Sequence, residues 1–149
     1  MDVPYFAYGS NMNLEQMALR CSGARMIGLV RKTGWRYLIN QRGYVTALED
    51  PDAETLGCLW ELTEEHWGAL DRYEGVAGGF YRRVDCEVIH LDSEEAVQSI
   101  AYRAANEIPG TPSATYANIV IEGARQIGLP EDYLDFLESW RHGPPATGK

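Results

Sequence analysis

Cysteine is scarce in this chain of 149 residues, and its spacing argues against two kinds of site. The three cysteines, Cys21, Cys58 and Cys86, lie far apart and form no CxxC pair. None stands at metal-ligand spacing from a histidine, so the sequence predicts no metal centre. An odd number of widely spaced thiols favours reduced cysteines in a cytosolic protein over a disulfide framework.

Positive charge is scarce as well. The chain has 13 Lys and Arg against 22 Asp and Glu, which gives a formal net charge of −9. Binding to a phosphate backbone relies on clustered basic side chains. We therefore expect no nucleic-acid partner.

Long apolar runs and nucleotide-binding fingerprints are also missing. No segment approaches the ~18 apolar residues of a membrane span, so no membrane partner is expected. The first ten residues, MDVPYFAYGS, lack both a basic start and a long apolar stretch, which argues against a secretory signal. These features predict a cytoplasmic location. Neither GxGxxG nor a phosphate loop occurs, which argues against a dinucleotide or P-loop site.

What the chain does contain is enough apolar material for one packed core. Its composition is 45% hydrophobic and 11% aromatic, whereas disordered chains combine low hydrophobicity with high charge. The length fits one domain, and no linker or repeat divides it. We predict a single domain over residues 1–141 and a flexible tail, rich in Pro and Gly, over residues 142–149.

Local signals in the first half predict a strand, a helix and then several strands. A strand is expected at residues 3–8. A helix should follow with Asn13 as its N-cap and Gln16 in the capping-box position, ending near Cys21. β-branched and aromatic residues then predict four strands, at residues 26–31, 35–40, 45–49 and 55–62. The turns between them are expected at residues 33–34, 41–43 and 50–52.

Local signals in the second half of the chain predict a helix, two strands and two further helices. Thr63 should cap a helix over residues 64–73, which a glycine-rich stretch breaks. Strands are expected at residues 81–90 and 97–103. Thr111 with Pro112 should start a helix that runs to residue 126, and Pro130 a last helix to about Trp140. This order predicts an α+β fold: a mixed, barrel-like sheet of about six to seven strands with peripheral helices.

The turn Tyr8-Gly9-Ser10-Asn11 is the first candidate for chemistry. A strand that ends in such a turn just before a helix presents free backbone N–H groups, which suit an anion such as a carboxylate. Gly-Ser-Asn is also common turn chemistry. An anion site and an ordinary turn both stay open on spacing alone.

Glu74 is the second candidate. It lies where a helix gives way to glycine-rich chain, close in sequence to Tyr73, Phe80 and Tyr81. If an apolar pocket holds this carboxyl, desolvation raises its pKa toward neutrality, as a general base working near pH 7 requires. The alternative is a solvated glutamate at a helix end, although a negative charge there opposes the helix dipole.

Two motifs together resemble the γ-glutamylcyclotransferase family. Residues 5–12, YFAYGSNM, are similar to that family's first-strand signature, Y-x-A-Y-G-S-N-[LM]. Residues 70–76, LDRYEGV, followed by Tyr81, resemble its second signature. Residues 57–62 look like the strand before that helix, and Pro112, Ser113, Tyr116, Gly123, Ala124, residues 128–130 and Tyr133 resemble the C-terminal helices. The similarity spans nearly the whole chain, from Tyr5 to about Tyr133.

The resemblance implies a mixed β-barrel with surrounding helices, no metal and no organic cofactor. It implies that Glu74 is the acid–base catalyst and is compatible with a homodimer. The implied substrate-binding residues are Tyr5, Phe6, Ala7, Tyr8, Gly9, Ser10, Asn11, Tyr81 and Tyr116. The implied reaction is attack of an α-amine on its own γ-glutamyl amide carbonyl, which releases 5-oxoproline and a free amine.

Two other functions remain open at this point. An inactive member of the same fold could bind a small ligand without turnover, because fold does not fix function. A related amide hydrolase would let water attack and would release glutamate. The leaving amine is open as well: an amino acid, a dipeptide as in glutathione, a lysine-type amide or an antibiotic precursor. The short loops look unlike the glutathione-specific branch.

Overall fold

The computed structural model describes residues 3–145, and in this range five strands close into a barrel with four α-helices around it. The strands are β1 Tyr5–Ala7, β2 Arg25–Ile39, β3 Val45–Glu61, β4 Tyr81–His90 and β5 Ala96–Ala104. The helices are α1 Leu14–Arg20, α2 Glu64–Glu74, α3 Ala114–Ile127 and α4 Glu131–Glu138, with a 3-10 helix at Ser10–Met12. No helix in this range is long and apolar enough to cross a membrane.

The sheet is mixed, which confirms the predicted α+β barrel. Its strand order is β1-β3-β2-β4-β5, and a parallel contact between β1 and β5 closes the ring. All other pairs are antiparallel. At the closure the Ile100 N–H donates to the Pro4 carbonyl at 2.9 Å.

The predicted count of six to seven strands is wrong, because two expected turns are irregularities inside long strands. Gly34 lies within β2 and Pro51 within β3. Between the partners Thr33↔Glu54 and Trp35↔Glu49 the register shifts, so the ladder takes up extra residues without reversing direction. Proline has no N–H to donate, and such a bulge is where a strand tolerates it. The expected turn at residues 41–43 does join β2 to β3.

Two predicted helix caps are confirmed. The Asn13 side chain accepts hydrogen bonds from two N–H groups of the first turn of α1, at 3.0 and 3.1 Å. Gln16 does not complete a capping box there, because its side chain accepts from Arg20 instead. Thr63 caps α2 and forms a capping box with His66.

Boundaries in the C-terminal part differ from the predictions by a few residues. Ser113, not Thr111, caps α3, since its hydroxyl accepts from the Tyr116 N–H at 3.1 Å. The last helix, α4, ends at Glu138 rather than near Trp140. The single domain and the flexible tail stay predictions, and residues 1–2 and 146–149 lie outside the described residues.

A close contact between α3 and the chain after β1 fixes the position of that segment. Gly123 of α3 is buried, and a Cβ built on it would lie 2.5 Å from the Asn13 nitrogen and 2.8 Å from the Met12 carbonyl carbon. The Asn13 side-chain amide also donates to the Ile119 carbonyl of α3 at 3.0 Å. The 3-10 helix is therefore held between the barrel and α3.

This contact generates a stability prediction. We expect Gly123→Ala to lower the free energy of unfolding by about 2 kcal/mol, because the added methyl overlaps main-chain atoms that cannot rotate away. Urea unfolding followed by circular dichroism measures the change.

Gly68→Ala in α2 is the matched control. A Cβ at Gly68 would meet the Arg72 side chain at 3.7 Å, an ordinary contact. Alanine is the better helix former by about 0.8–1 kcal/mol, so this variant should be more stable than the parent. Stabilisation by both substitutions would contradict the proposed close contact at Gly123.

Candidate active site

A cavity of about 220 Å³ opens where several elements end around the same point of the barrel. The chain after β1, the turn between β2 and β3, the C-terminal end of α2 and the first turn of α3 all contribute to its lining. Residues from both predicted motifs therefore meet in one place.

Eight of the ten site residues predicted from the sequence line this cavity: Tyr5, Tyr8, Gly9, Ser10, Asn11, Glu74, Tyr81 and Tyr116. Phe6 and Ala7 do not line it. Phe6 is fully buried and stacks behind the Tyr8 ring, with the centroids 5.3 Å apart. Ala7 is buried in the ladder opposite Cys58. Both support the wall of the cavity from behind.

The segment after β1 carries unpaired main-chain donors. β1 ends at Ala7, and the chain enters the 3-10 helix, whose first hydrogen bond is the one from the Met12 N–H to the Gly9 carbonyl at 3.1 Å. The N–H groups of Gly9, Ser10 and Asn11 have no hydrogen-bond partner within residues 3–145. Neighbouring free N–H groups at the start of a helical turn suit an anionic group.

Glu74 is the last residue of α2. Gly75 ends the helix in the left-handed conformation (φ 68°), and its N–H donates to the Arg72 carbonyl at 3.2 Å. The Glu74 carboxylate is largely withdrawn from water and makes no hydrogen bond to the rest of the described chain. Burial raises its pKa to about 7, and the positive charge of Arg20 limits the rise. Near neutral pH this carboxyl is able both to accept and to donate a proton.

The negative charge of Glu74 interacts electrostatically with the hydroxyls of five tyrosines: Tyr5, Tyr8, Tyr81, Tyr102 and Tyr116. Burial raises the pKa of each hydroxyl, and the negative charge of Glu74 adds to the rise. All five hydroxyls are therefore protonated near neutral pH and serve as neutral hydrogen-bonding groups.

These hydroxyls differ in whether their protons are already engaged. Those of Tyr8, Tyr81 and Tyr102 donate to fixed acceptors in the protein, at 2.6, 2.9 and 2.6 Å. The Tyr5 oxygen instead accepts from the Asn11 side chain at 2.9 Å. The Tyr116 oxygen accepts from a main-chain N–H at 3.2 Å. The Tyr116 hydroxyl is also within hydrogen-bond reach of the Ser10 side chain. The Tyr5 proton has no acceptor within residues 3–145, so it is available to a ligand.

Arg20 joins three elements at the edge of the cavity. Its guanidinium donates to the Ser10 hydroxyl at 3.1 Å, to the Asn11 side chain, to Gln16 at 2.7 Å and to the Tyr73 hydroxyl. It thus ties α1 and the chain after β1 to the end of α2. Arg20 could not be predicted from the sequence, because one arginine on a short amphipathic helix carries no local signal of a site.

Other lining residues come from distant parts of the chain and were not predicted from the sequence, among them Arg42, Tyr44 and Tyr102. Two aromatic residues close to Glu74 in sequence, Tyr73 and Phe80, lie at the rim of the cavity with 49% of their surface exposed. The desolvation of Glu74 therefore depends mainly on the buried tyrosines. No group of three or more potential metal-ligating side chains occurs in residues 3–145.

Comparison with known proteins identifies the family. A model described as the AIG2-like family matches residues 54–137, more than half of the chain. The chain belongs to the AIG2-like family. It is 28% identical to the human γ-glutamylcyclotransferase over 145 residues, which covers 91% of this chain and 77% of the human protein. The mouse γ-glutamylcyclotransferase is 29% identical over the same coverage.

Solved structures agree with this assignment. A γ-glutamyl cyclotransferase structure superposes with a TM-score of 0.88 at 27% identity, covering 99% of this chain and 92% of that one. An AIG2-like protein from mouse shares the fold, with a TM-score of 0.59 at 18% identity over 76% of this chain and 81% of that one. The predicted family resemblance is thereby confirmed.

The contacts of Arg20 generate a prediction about Glu74. We expect Arg20→Gln to raise the pKa of the Glu74 carboxyl above its value of about 7, because the substitution removes the positive charge that favours the ionised form. Titration of the carboxyl carbon by NMR measures this directly and needs no substrate.

Arg20→Lys keeps the charge and should leave the Glu74 titration nearer to that of the parent. Arg72→Gln is the matched control. Arg72 lies in the last turn of α2, as Glu74 does, but it is exposed and does not shift the pKa of Glu74. An unchanged midpoint in Arg20→Gln, or an equal shift in Arg72→Gln, would rule out this role for Arg20.

Proposed function

We propose that this protein is a γ-glutamylcyclotransferase that uses Glu74 as its acid–base catalyst. The observation that carries the proposal is a desolvated, unbonded carboxyl with a pKa of about 7 in the same cavity as a row of free main-chain N–H groups. The similarity to proteins named γ-glutamylcyclotransferase supports the reaction class.

The chemistry requires a proton to move between two nitrogens. Near neutral pH the α-amine of a γ-glutamyl amide is mostly ammonium, which cannot attack. Glu74 accepts one of its protons, and the freed amine attacks the γ-carbonyl to form a five-membered cyclic tetrahedral intermediate. Glu74 donates this proton to the leaving nitrogen and accepts the second proton from the ring nitrogen. The amide C–N bond then breaks, which gives the lactam, and the second proton passes to the departing amine, which leaves as an ammonium ion. One carboxyl serves both steps because the two nitrogens are bonded to the same carbon in the intermediate.

Free N–H groups and tyrosine hydroxyls supply the binding part of the mechanism. The donors of Gly9, Ser10 and Asn11 suit the substrate α-carboxylate or the developing oxyanion. The available proton of Tyr5 offers one more donor in the same cavity. Binding in this cavity folds the flexible glutamyl chain into its attack geometry. Well-oriented intramolecular reactions gain up to about 7–11 kcal/mol from such positioning.

Replacement of Glu74 tests the proposal. We expect Glu74→Gln to release 5-oxoproline from γ-glutamyl amides about 10²–10⁴ times more slowly, because glutamine keeps the shape but cannot carry the proton. Mass spectrometry of the products, with circular dichroism to show folding, measures this. Glu65→Gln, on the exposed first turn of α2, is the matched control.

Three other results would contradict the proposed function or the role of Glu74. Near-normal release of 5-oxoproline by a folded Glu74→Gln protein would reject Glu74 as the catalyst. Release of free glutamate would identify an amide hydrolase. Binding of γ-glutamyl amides without any product from the parent protein would identify a ligand-binding member of the fold.

The raised pKa of Glu74 also predicts that the difference in stability between the parent and Glu74→Gln depends on pH. In the unfolded chain Glu74 ionises near its ordinary pKa of 4.5, whereas in the folded state it ionises near 7. The parent therefore keeps its full stability below about pH 4.5 and loses part of it as the pH rises to about 7. Glutamine has no such loss. Glu74→Gln should gain stability relative to the parent across this window, by at most about 3 kcal/mol above pH 7.

Urea unfolding of both proteins from about pH 4.5 to pH 8 measures this difference, and Glu65→Gln again serves as the control. A difference between Glu74→Gln and the parent that stays constant over the whole range would contradict a raised pKa at Glu74. This measurement is independent of substrate and of turnover.

A further inference from the structure

Asp71 lies three residues before Glu74 on helix α2 and binds two residues of the barrel wall. Its carboxylate accepts two hydrogen bonds from the Arg83 guanidinium of β4, at 3.0 and 2.7 Å. The oxygen that accepts the first of these, Oδ1, also accepts from the Tyr102 hydroxyl of β5 at 2.6 Å. Tyr102 and Glu74 line the cavity, whereas Asp71 does not. Asp71 therefore contacts the site from outside, through Tyr102.

The charge states of the two groups fix the direction of the bond between Asp71 and Tyr102. Partial burial raises the pKa of the Asp71 carboxyl, but hydrogen bonds from Arg83 and Tyr102 outweigh this effect and hold the pKa below its ordinary value. Asp71 is therefore ionised near neutral pH and accepts without donating. Burial raises the pKa of the Tyr102 hydroxyl, so this group keeps its proton and is the donor.

Neighbouring rings hold the ring of Tyr102 in place. Tyr102 is 4% exposed, and its ring centroid lies 5.7 Å from that of Tyr5 and 6.0 Å from that of Trp67. With the ring fixed, the hydroxyl hydrogen changes its direction only by rotation about the C–O bond. The acceptors within reach therefore determine where the Tyr102 proton points.

Glu74 is the competing acceptor for this proton. Side chains three residues apart on a helix are neighbours, with about 5–6 Å between their Cβ atoms, so Asp71 and Glu74 lie on the same face of α2. The negative charge of Glu74 acts on the Tyr102 hydroxyl, and the two residues line the same cavity. Within residues 3–145, Glu74 nevertheless accepts no hydrogen bond, because the Tyr102 proton is donated to Asp71.

Two other engaged hydroxyls of the cavity are held by main-chain acceptors. Tyr8 donates to the Tyr102 carbonyl and Tyr81 to the Val45 carbonyl. No substitution removes a main-chain carbonyl, so the proton of Tyr102 is the one of these three whose acceptor is open to mutation. The other charged and titratable side chains around Glu74 in the described range are Arg20, Arg42, Tyr5, Tyr44, Tyr73 and Tyr116.

We propose that Asp71 is a positioning residue: by accepting the Tyr102 proton it prevents Tyr102 from donating to Glu74, and so leaves the Glu74 carboxylate free for a proton of the substrate. The consequence for turnover rests on the proposed function. The state of the carboxyl itself is measurable without substrate.

Titration of the Glu74 carboxyl carbon by NMR tests the inference. We expect Asp71→Ala to lower the midpoint by about one pH unit, because the released Tyr102 proton binds Glu74 and favours its ionised form. The double variant with Asp71→Ala and Tyr102→Phe lacks this proton, so its midpoint should return to near that of the parent. A midpoint that is unchanged in Asp71→Ala, or equally low in the double variant, would overturn the inference.

Two matched variants separate this effect from loss of charge and from loss of a helix contact. Asp71→Asn removes the charge but keeps Oδ1, the oxygen that accepts from Tyr102, so its midpoint should stay near that of the parent. Arg83→Gln removes the ion pair between α2 and β4 and leaves Asp71 to accept from Tyr102, so it should not lower the midpoint. A shift in either variant as large as that in Asp71→Ala would contradict the inference.

Tyr102→Phe alone keeps the inference testable even if Asp71→Ala does not fold. Because the Tyr102 proton is directed at Asp71 in the parent, its removal should leave the Glu74 midpoint near that of the parent. A clearly higher midpoint in Tyr102→Phe would mean that Tyr102 already donates to Glu74, which the inference excludes.

The pH profile of turnover distinguishes failure of this inference from failure of the proposed function. A general base acts in its ionised form, so the acidic limb of kcat/KM for 5-oxoproline release should move to lower pH in Asp71→Ala, in step with the titration. If the titration shifts and the limb does not, the inference holds and Glu74 is rejected as the base. If the titration does not shift, the inference fails and the Glu74→Gln test still decides the function.

Discussion

Withdrawal of one carboxyl from water is the constraint on which the rest of this site depends. A glutamate in solvent stays ionised at neutral pH and is a weak base, whereas burial brings the pKa of Glu74 to about 7. Burial of an unbonded carboxylate costs stability, so the surrounding structure has to enforce it. Arg20 is near enough to limit the rise, but its donors are directed at Ser10, Asn11, Gln16 and Tyr73. A direct ion pair would have kept the carboxyl ionised at lower pH.

The short first strand provides the second part of the site, which is a set of free main-chain N–H groups. β1 has three residues, and the chain then turns into a 3-10 helix. A longer strand would have used the next N–H groups in the ladder with β3, as strands do. Because the chain turns away, the donors of Gly9, Ser10 and Asn11 stay free. The close approach of α3 at Gly123 keeps the segment in this conformation. The barrel thus holds the donors and the carboxyl at one cavity from different parts of the sequence.

Local signals predicted the parts of this arrangement that are local. The caps at Asn13 and Thr63, the helix end at Glu74 and the turn after β1 each depend on a few consecutive residues, and all four were predicted. The strand count was wrong because Gly34 and Pro51 give the same local signal in a bulge as in a turn. Only the long-range pairing of β2 with β3 distinguishes the two. Tyr102 reaches the cavity from β5, which pairs with β4, and Arg42 from the turn between β2 and β3, so no short window of sequence relates either of them to Glu74.

Under the proposed function, Arg20 and Arg42 have different relations to Glu74. Arg20 acts on the carboxyl through charge and on the donor segment through hydrogen bonds, so a change there would disturb the reaction for every substrate. Arg42 touches neither; it lies on a hairpin turn that Asn40 stabilises independently of Glu74. Because rim residues on loops change without altering the scaffold beneath them, the cavity lining at Arg42 is able to vary while the barrel and Glu74 keep their positions.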